Sequence, residues 1–332
     1  MKAAFKHGDT VTLRDIALRP LRKDEIRLGV TACGICGTDL HRHPGEQKEA
    51  PFGHEVSGTI LEVGAGVTDL AVGQQVVLES ASACGRCANC RNCRQELCTD
   101  IKSFFHLGFL GFAQEMIAPA ISAIPCEDLT PDVACLSEPL GVAIDMVRLA
   151  EIETTSNVLL MGAGPIGLMA LALVKRRGAR RVFFVAYKHH TARLRLVERF
   201  GADAIIDPNE TRLESHDFGC PIDRVLVTSP PTTLNSAFAV AAKGGIISYI
   251  GIAYGDGAFC RFEANDFHFK KLQLRASFAS PALYTPLALQ VLREGVVEGA
   301  ALVSHRFPLS MIGEAVEVAR DKRTAVKVVV TA

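Results

Sequence analysis

The spacing of apolar residues changes near residue 157, and the change predicts two kinds of architecture. Before that point, apolar and polar positions alternate over short stretches, as in residues 25–30 and in the β-branched segment 56–63. Such alternation is typical of strands with one buried face. We therefore expect a small β domain in the N-terminal region.

Beyond residue 157, short apolar runs alternate with longer segments of helical spacing. The predicted strands are 158–161, 182–185, 204–206, 222–227, 246–250 and 272–278. The predicted helices are 168–177, 191–200 and 232–242, closed by Gly178, Gly201 and Gly244, and one more that Pro281 opens and Gly295 closes. This order predicts a parallel sheet with helices on both faces. A tail helix (309–320) and strand (326–330) are closer in style to the β domain, to which we expect the tail to return.

A helical segment with a proline in it links the two regions. Thr130-Pro131 predicts a helix start, and we expect this helix to run toward Ser137 and to be interrupted at Glu138-Pro139 before helical spacing resumes over 140–150. A carboxylate just before a helix-breaking proline can point into a cleft between domains. A surface position at a helix start is the alternative, and this stretch alone does not separate the two.

Charge and length favour a small-molecule partner. The chain has 332 residues, with 36 Lys plus Arg and 36 Asp plus Glu, so nothing in its charge indicates nucleic acid or an anionic membrane as partner. The uncharged segment 158–174 contains glycines in its middle and fits a strand, turn and buried helix better than a membrane span. The start lacks the apolar core of a signal peptide, so we expect a cytoplasmic protein.

The stretch Cys36-Gly-Thr38-Asp-Leu-His41, followed by Gly53-His54-Glu55, has the residues of a catalytic zinc site. Thiolate, imidazole and carboxylate together form a ligand set that leaves one position open for substrate. Thr38 and His41 add a hydroxyl and a titratable ring, which a proton relay requires. The alternative is a buried cysteine with two unrelated histidines.

Five of the eleven cysteines are crowded into residues 84–98. In a cytosolic protein such a cluster favours metal over disulfides. Four thiolates close a tetrahedral shell around zinc, so the site would be structural. We assign as ligands Cys84, Cys87, Cys90 and Cys98, with Cys93 as the spare. A redox cluster or a nucleic-acid-binding zinc ribbon are the alternatives.

The sequence Gly162-Ala-Gly164-Pro165-Ile166-Gly167 lies between a predicted strand and a predicted helix. These glycines permit a tight turn and close approach of a pyrophosphate to a helix N-terminus. The acid that usually meets the adenosine ribose of NAD is missing after the second strand, where the chain has cations instead. We therefore favour NADP over NAD. The expected cofactor-binding residues are Gly162, Gly164, Pro165, Ile166, Gly167, Ala186, Tyr187, Lys188, His189, Arg193, Gly251 and Ser277.

Together these motifs resemble the zinc-dependent medium-chain dehydrogenases, in particular their polyol (sorbitol-like) and threonine dehydrogenase branch. The resemblance covers nearly the whole chain and extends to Glu138-Pro139-Leu140 and Lys327-Val-Val-Val330. It implies an α/β protein with a GroES-like catalytic domain (1–141, with the return segment 280–332), a Rossmann cofactor domain (142–279) and a substrate cleft at their junction. It also implies Cys36, His54 and Glu55 as catalytic zinc ligands, Glu138 as a ligand bound directly or through water, and a homodimer or homotetramer.

The expected reaction is hydride transfer between NADP and a secondary alcohol or ketone, such as a polyol or sugar derivative. Two zinc ions per chain are expected, one catalytic and one structural. Thr38 would take the substrate proton and pass it through the nicotinamide ribose to His41, and Asp39 would orient a ligand. An NAD-dependent threonine-like dehydrogenase and a non-catalytic binding protein are the alternatives. The interval from Cys36 to His54 is shorter than in the family, so one wall of the pocket is trimmed; His43, Phe104, Phe105 and Ser277 are candidate pocket residues.

Overall fold

The chain folds as two compact units in the computed structural model, which describes residues 1–41, 48–108 and 110–332. The first, called here the β unit, comprises Met1–Gly141, Ala279–Asp321 and Ala325–Ala332. The second, the α/β unit, comprises Val142–Phe278 and Lys322–Thr324. Most of the C-terminal region therefore belongs to the unit that the N-terminal region forms.

The elements are numbered along the chain. The strands are β1 (Lys2–His7), β2 (Thr10–Asp15), β3 (Glu25–Gly34), β4 (Ala50–Pro51), β5 (Glu55–Val63), β6 (Gln75–Leu78), β7 (Ala81–Ser82), β8 (Lys102–Ser103), β9 (Glu115–Pro119), β10 (Ala123–Pro125), β11 (Asn157–Met161), β12 (Arg181–Val185), β13 (Ala204–Ile206), β14 (Ile222–Val227), β15 (Ala241–Tyr249), β16 (Gln273–Ala276), β17 (Val303–Pro308) and β18 (Lys327–Thr331). The helices are α1 (Ala88–Arg91), α2 (Pro131–Ala134), α3 (Ser137–Leu149), α4 (Pro165–Arg176), α5 (Thr191–Arg199), α6 (Leu234–Val240), α7 (Ala264–Phe269), α8 (Thr285–Arg293), α9 (Gly299–Leu302) and α10 (Ile312–Arg320).

Two sheets carry most of the β unit. The larger has the order β10-β6-β5-β3-β18-β17, with β9 also paired to β3, and the smaller has the order β2-β1-β4. The C-terminal strand β18 pairs antiparallel with β3, so the tail completes a sheet that the first third of the chain begins. Ile26, Leu28 and Ile60 are fully buried in the core of this sheet.

The α/β unit contains a six-stranded parallel sheet in the order β13-β12-β11-β14-β15-β16. Counted along this unit the order is 3-2-1-4-5-6, the arrangement of a dinucleotide-binding Rossmann sheet. The order reverses beside β11, and in such sheets ligands bind outside the carboxyl ends of the strands at this point. The predicted fold class is therefore confirmed: an α/β protein with a β domain and a doubly wound parallel sheet.

The predicted helix interruption at Glu138-Pro139 was wrong. The break falls earlier, between α2 and α3, and α3 runs without interruption from Ser137 through Pro139. A proline in the first turn of a helix is tolerated because the N–H it lacks would have no partner within the helix. Glu138 consequently lies in the first turn of a continuous helix.

Two predicted boundaries differ in the C-terminal half. The helix predicted over 232–242 ends at Val240, because Ala241 already pairs with Ile222 in the parallel sheet; strand pairing here overrides the helix preference of alanine. Gly244 therefore lies within β15 and does not close the helix. Pro281 does not open α8, which starts at Thr285 with Pro286 in its first turn. Among the described residues, no helix is both long and apolar enough to span a membrane.

Candidate active site and metal centres

The turn after β3 contains Cys36 and the residues of the predicted relay. A 3-10 helix spans Gly37–Leu40, and the Asp39 carboxylate accepts a hydrogen bond from the N–H of Cys36 at 2.8 Å. Asp39 is buried, and its Oδ1 lies 3.8 Å from Nδ1 of His54. Burial raises the pKa of Asp39 above its ordinary value, although His54 and the Cys36 N–H counteract this. Asp39 is therefore in contact with both candidate ligands, where an orienting carboxylate would have to be.

Strand pairing brings the candidate ligands together. In the antiparallel ladder of β3 and β5, Gly34 faces Glu55. Cys36 follows the end of β3 and His54 immediately precedes β5, so the three side chains start from adjacent strand ends. A Cβ at Gly34 would lie 2.0 Å from Glu55 Oε2, so only glycine leaves room for the carboxylate. One ligand atom from each of Cys36, His54 and Glu55 lies within 4.8 Å of the others, which fits a zinc ion.

Lys327 is a charged member of this site that the sequence analysis did not assign. Its Nζ donates to both carboxylate oxygens of Glu55 at 2.7 Å and to the carbonyl of Ile35 at 3.0 Å. Both side chains are almost fully buried. Burial alone would lower the pKa of Lys327, but Glu55 and Cys36 more than reverse this, and the pKa is raised. The feature of the sequence that could have revealed this residue is the presence of a lysine at the start of the otherwise apolar segment 327–330.

Glu138 lies close to the site but is not in the compact group of metal-ligating atoms among the described residues. Poor solvation raises the pKa of its carboxyl to about 7, with His54 opposing the rise and Glu55 adding to it. His54 in turn has a raised pKa, because Cys36, Asp39 and Glu138 outweigh the lowering effect of burial. The site therefore concentrates negative charge around the imidazole, a field that favours a cation.

The cysteine lobe brings together the four predicted thiols and leaves the fifth outside. The Sγ atoms of Cys84, Cys87, Cys90 and Cys98 lie within 4.8 Å of one another, whereas Cys93 is exposed. Backbone N–H groups point at the sulfurs, with the N–H of Cys87 3.3 Å from Cys84 Sγ and that of Cys84 3.3 Å from Cys98 Sγ. Such bonds stabilise thiolates, and N–H groups of Cys90 and Thr99 lower the pKa of Cys87 to about 5. This donor set fits a structural zinc.

The glycine turn joins β11 to α4. Gly162 has a φ of +114°, and a Cβ at Gly167 would lie 2.0 Å from the Gly162 carbonyl oxygen, so both positions require glycine. A Cβ at Gly164 would meet no protein atom within 4 Å. The backbone at Gly164 therefore offers an open approach to the N-terminus of α4, which begins at Pro165 and continues with Ile166. This geometry fits a pyrophosphate.

The segment after β12 carries the predicted cations, and one of them is already paired. Lys188 Nζ lies 2.5 Å from Glu210 Oε2, in an ion pair whose two side chains are more than half exposed and therefore screened by water. Ala186 is buried, and Tyr187 is exposed with its ring centroid 5.3 Å from that of His189. Tyr187 and His189 therefore form an exposed pair of rings after β12.

A further lysine comes from the other end of the sequence. The pKa of His190 is lowered to about 4, first by burial and then by the positive charges of His189, Arg193 and Lys322. Lys322 belongs to the short C-terminal segment of the α/β unit, whose Arg323 carbonyl accepts the N–H of Ala192 at 3.0 Å. No sequence motif links Lys322 to β12, so sequence reasoning missed it.

The remaining predicted residues differ in exposure. Ser277 is buried, and its hydroxyl donates to Asp145 at 2.5 Å. Gly251 follows β15, and a Cβ there would lie 2.3 Å from the carbonyl oxygen of Ser229. Phe104 is fully buried in the core, whereas Phe105 is 47% exposed with its ring centroid 5.8 Å from that of His54. Phe104 therefore does not line a pocket; His43 lies outside the described residues.

Two family models match the chain. Residues 22–128 match the alcohol dehydrogenase GroES-like domain, and residues 165–294 match the zinc-binding dehydrogenase domain. An L-threonine 3-dehydrogenase of Saccharopolyspora erythraea is 30% identical over 90% of both chains. This chain belongs to the zinc-dependent alcohol dehydrogenase family. These matches confirm the predicted family and its polyol and threonine dehydrogenase branch. They also confirm that the protein is an enzyme.

Further relatives of this zinc-dependent dehydrogenase differ in substrate and cofactor. The L-galactonate-5-dehydrogenase of Escherichia coli K12 is 29% identical and the match covers 93% of this chain and 92% of the relative. A zinc-binding dehydrogenase of Sinorhizobium meliloti 1021 bound to NADP superimposes with a TM-score of 0.86 at 26% identity, over 100% of this chain and 99% of the other. An alcohol dehydrogenase of E. coli CFT073 in complex with NADH has a TM-score of 0.88 at 24% identity, over 100% and 99%, and shows the shared fold.

Proposed function

We propose that this dehydrogenase transfers a hydride between a nicotinamide cofactor and a secondary alcohol or ketone, with a polyol, sugar or sugar derivative as substrate. The observation that carries the proposal is the group of Cys36, His54 and Glu55, whose ligand atoms lie within 4.8 Å of one another. The turn with Thr38 and His41 directly follows Cys36. Zinc held there would polarise a substrate hydroxyl and lower its pKa from about 16 toward about 7.

The chain's own residues would then move the proton. Thr38 is half-buried and His41 is exposed at the end of the same turn. We propose that the Thr38 hydroxyl accepts the substrate proton and that His41 releases it to solvent after passage through the nicotinamide ribose. Asp39 holds His54 in one orientation, and Glu138 is a further ligand, bound directly or through water.

The proposed polyol or sugar class rests on relatives and on the site. The L-galactonate-5-dehydrogenase acts, by its name, on a sugar acid. Phe105 supplies one exposed apolar surface near His54, against which a carbon chain can pack. The threonine dehydrogenase at 30% identity favours an NAD-linked amino alcohol as second candidate.

NADP is the proposed cofactor, as the cations after β12 suggest. Lys188 is held in an exposed ion pair with Glu210, which a bound phosphate would have to displace. His189, Arg193 and Lys322 all act on His190 with positive charge, so a cationic environment remains where a 2′-phosphate would bind. The glycine turn is expected to contact the pyrophosphate, which NAD and NADP share, so it does not distinguish the two cofactors.

We extend the proposal to the assembly. We propose one catalytic and one structural zinc per chain. We also propose a catalytic domain of residues 1–141 and 280–332 and a cofactor domain of residues 142–279, and the division into two compact units supports these domain limits.

All eleven cysteines are free, which favours the reducing cytoplasm. A homodimer or homotetramer is supported by the exposed edge strand β16, which carries Leu274 at 40% exposure.

The decisive experiment combines an elemental zinc count with a panel of sugar alcohols, sugar acids and threonine, each with NADP and with NAD. We expect two zinc ions per chain and NADP-dependent oxidation of a polyol or sugar acid. Cys36→Ala should abolish turnover and remove one zinc, because the thiolate ligand is lost. Full turnover of Cys36→Ala would contradict the mechanism, and faster turnover of threonine with NAD would favour the second candidate.

A further inference from the structure

We propose that Lys6 is a positioning residue of the catalytic site, which fixes the Cys36–His41 turn by binding two of its backbone carbonyls. The inference rests on the proposed function, because it assigns a role within the same zinc site and proton relay. Lys6 lies on β1, far in sequence from every residue of that site.

The ammonium of Lys6 is enclosed at the end of the turn. Its side chain is almost fully buried, and Nζ donates to the carbonyl of Asp39 at 2.5 Å and to that of His41 at 2.8 Å. These carbonyls lie at the C-terminal end of the 3-10 helix Gly37–Leu40, where the backbone hydrogen bonding of the helix ends. A cation satisfies both at once with charge-assisted bonds and is favoured at a helix C-terminus.

The strand that carries Lys6 also pairs with the segment that leads to His54. In the ladder of β1 and β4, Lys6 faces Ala50 and Phe5 faces Pro51, shortly before the Gly53-His54-Glu55 sequence. One residue of β1 is thus bonded through its side chain to the turn after Cys36 and lies in the backbone ladder that precedes His54. Lys6 is thus linked to both halves of the candidate metal site, directly to one and through its strand pairing to the other.

The contacts of Asp39 carry this restraint to the ligands. The same residue whose carbonyl binds Lys6 uses its carboxylate to accept the N–H of Cys36 and to face His54. The His41 carbonyl restrains the residue proposed to end the proton relay. Without the ammonium, both carbonyls lose a charged donor and the turn can relax. Displacement of reacting groups by about 1 Å can lower a rate roughly 100-fold.

The test compares Lys6→Met, which keeps the length of the side chain but removes the donors, with Lys6→Arg, which keeps them. Lys2→Met is the matched control, because Lys2 is a lysine of the same strand whose exposed ammonium binds Asp15 at 2.7 Å. For each variant we would measure zinc per chain, kcat, KM and the solvent deuterium isotope effect on kcat.

We expect Lys6→Met to lower kcat at least roughly tenfold with a smaller change in KM, and to increase the solvent isotope effect as proton transfer slows. Lys6→Arg should recover most of kcat, and Lys2→Met should match the wild type. Should Lys6→Met fail to fold, Lys6→Gln takes its place, since it keeps one donor without the charge.

An unchanged kcat and isotope effect in folded Lys6→Met or Lys6→Gln, with active wild-type enzyme, would overturn the role of Lys6 and leave the proposed function intact. A loss of stability with unchanged kcat would also overturn it, because Lys6 would then be structural only. If the wild type binds no zinc and oxidises no alcohol, the proposed function itself fails.

Discussion

Lys327 and Glu55 place two opposite charges where water has almost no access. The Nζ of Lys327 contacts both oxygens of Glu55 at 2.7 Å, and these two side chains are 2% and 0% exposed. A buried pair of this kind adds little net stability compared with apolar residues, but loss of one partner leaves the other charge unpaired. Its value here is to hold the Glu55 carboxylate next to Cys36 and His54. A metal bound by Glu55 would share that carboxylate with Lys327.

Lys327→Met should therefore lower the free energy of unfolding by about 3–5 kcal/mol, because the Glu55 carboxylate stays buried without its partner. Denaturant titration followed by circular dichroism measures this change. Lys2→Met, which removes an exposed ion pair with Asp15, should cost about 1 kcal/mol or less. Equal losses in the two variants would contradict the assigned importance of the buried pair.

The cysteine lobe, residues 84–98, is a short segment whose stability would depend on metal ligands. It contains α1 of four residues, and two of its cysteines, Cys90 and Cys98, are buried. So small a segment can form little hydrophobic core, and a metal bound by the four thiolates would supply folding energy. Its spacing allowed four ligands out of five cysteines to be predicted. The sequence also predicted Cys93 as the spare, and in the structure Cys93 has a φ of +58° and an exposed side chain.

Cys90→Ser should lower the zinc content from two ions per chain to one and make the lobe sensitive to proteolysis, because the tetrathiolate shell is opened. Elemental analysis of the purified protein and limited proteolysis measure both effects. Cys93→Ser is the matched control and should retain two ions. Loss of zinc from the Cys93 variant and not from the Cys90 variant would reverse the ligand assignment.

The edge of the parallel sheet is the feature of the whole molecule that bears on assembly. Within the described part of the chain, β16 pairs with β15 alone and leaves its other edge open. An open edge strand with exposed apolar residues is a template for pairing with another chain. Leu274 on β16 is 40% exposed, so we expect this edge to pair with a second copy.

Leu274→Lys should shift the enzyme toward monomers, because charged side chains on an edge strand oppose pairing. Sedimentation velocity at several protein concentrations measures the shift. Leu287→Lys on α8, with a similar exposure of 38%, is the control and should leave the assembly unchanged. A wild-type monomer, or an oligomer that Leu274→Lys does not disturb, would exclude this edge as the interface.

The sequence alone determined the fold class, the family, the glycine turn and the residue types of both candidate metal sites, because each depends on local spacing and composition. Only the tertiary structure decided that Pro139 lies inside a helix, that Lys188 is paired with Glu210, and that Lys6 and Lys327 contact residues of the candidate zinc site. These outcomes depend on contacts between residues far apart along the chain. Local patterns carry no information about such partners, because strand register and packing bring them together only in the folded protein.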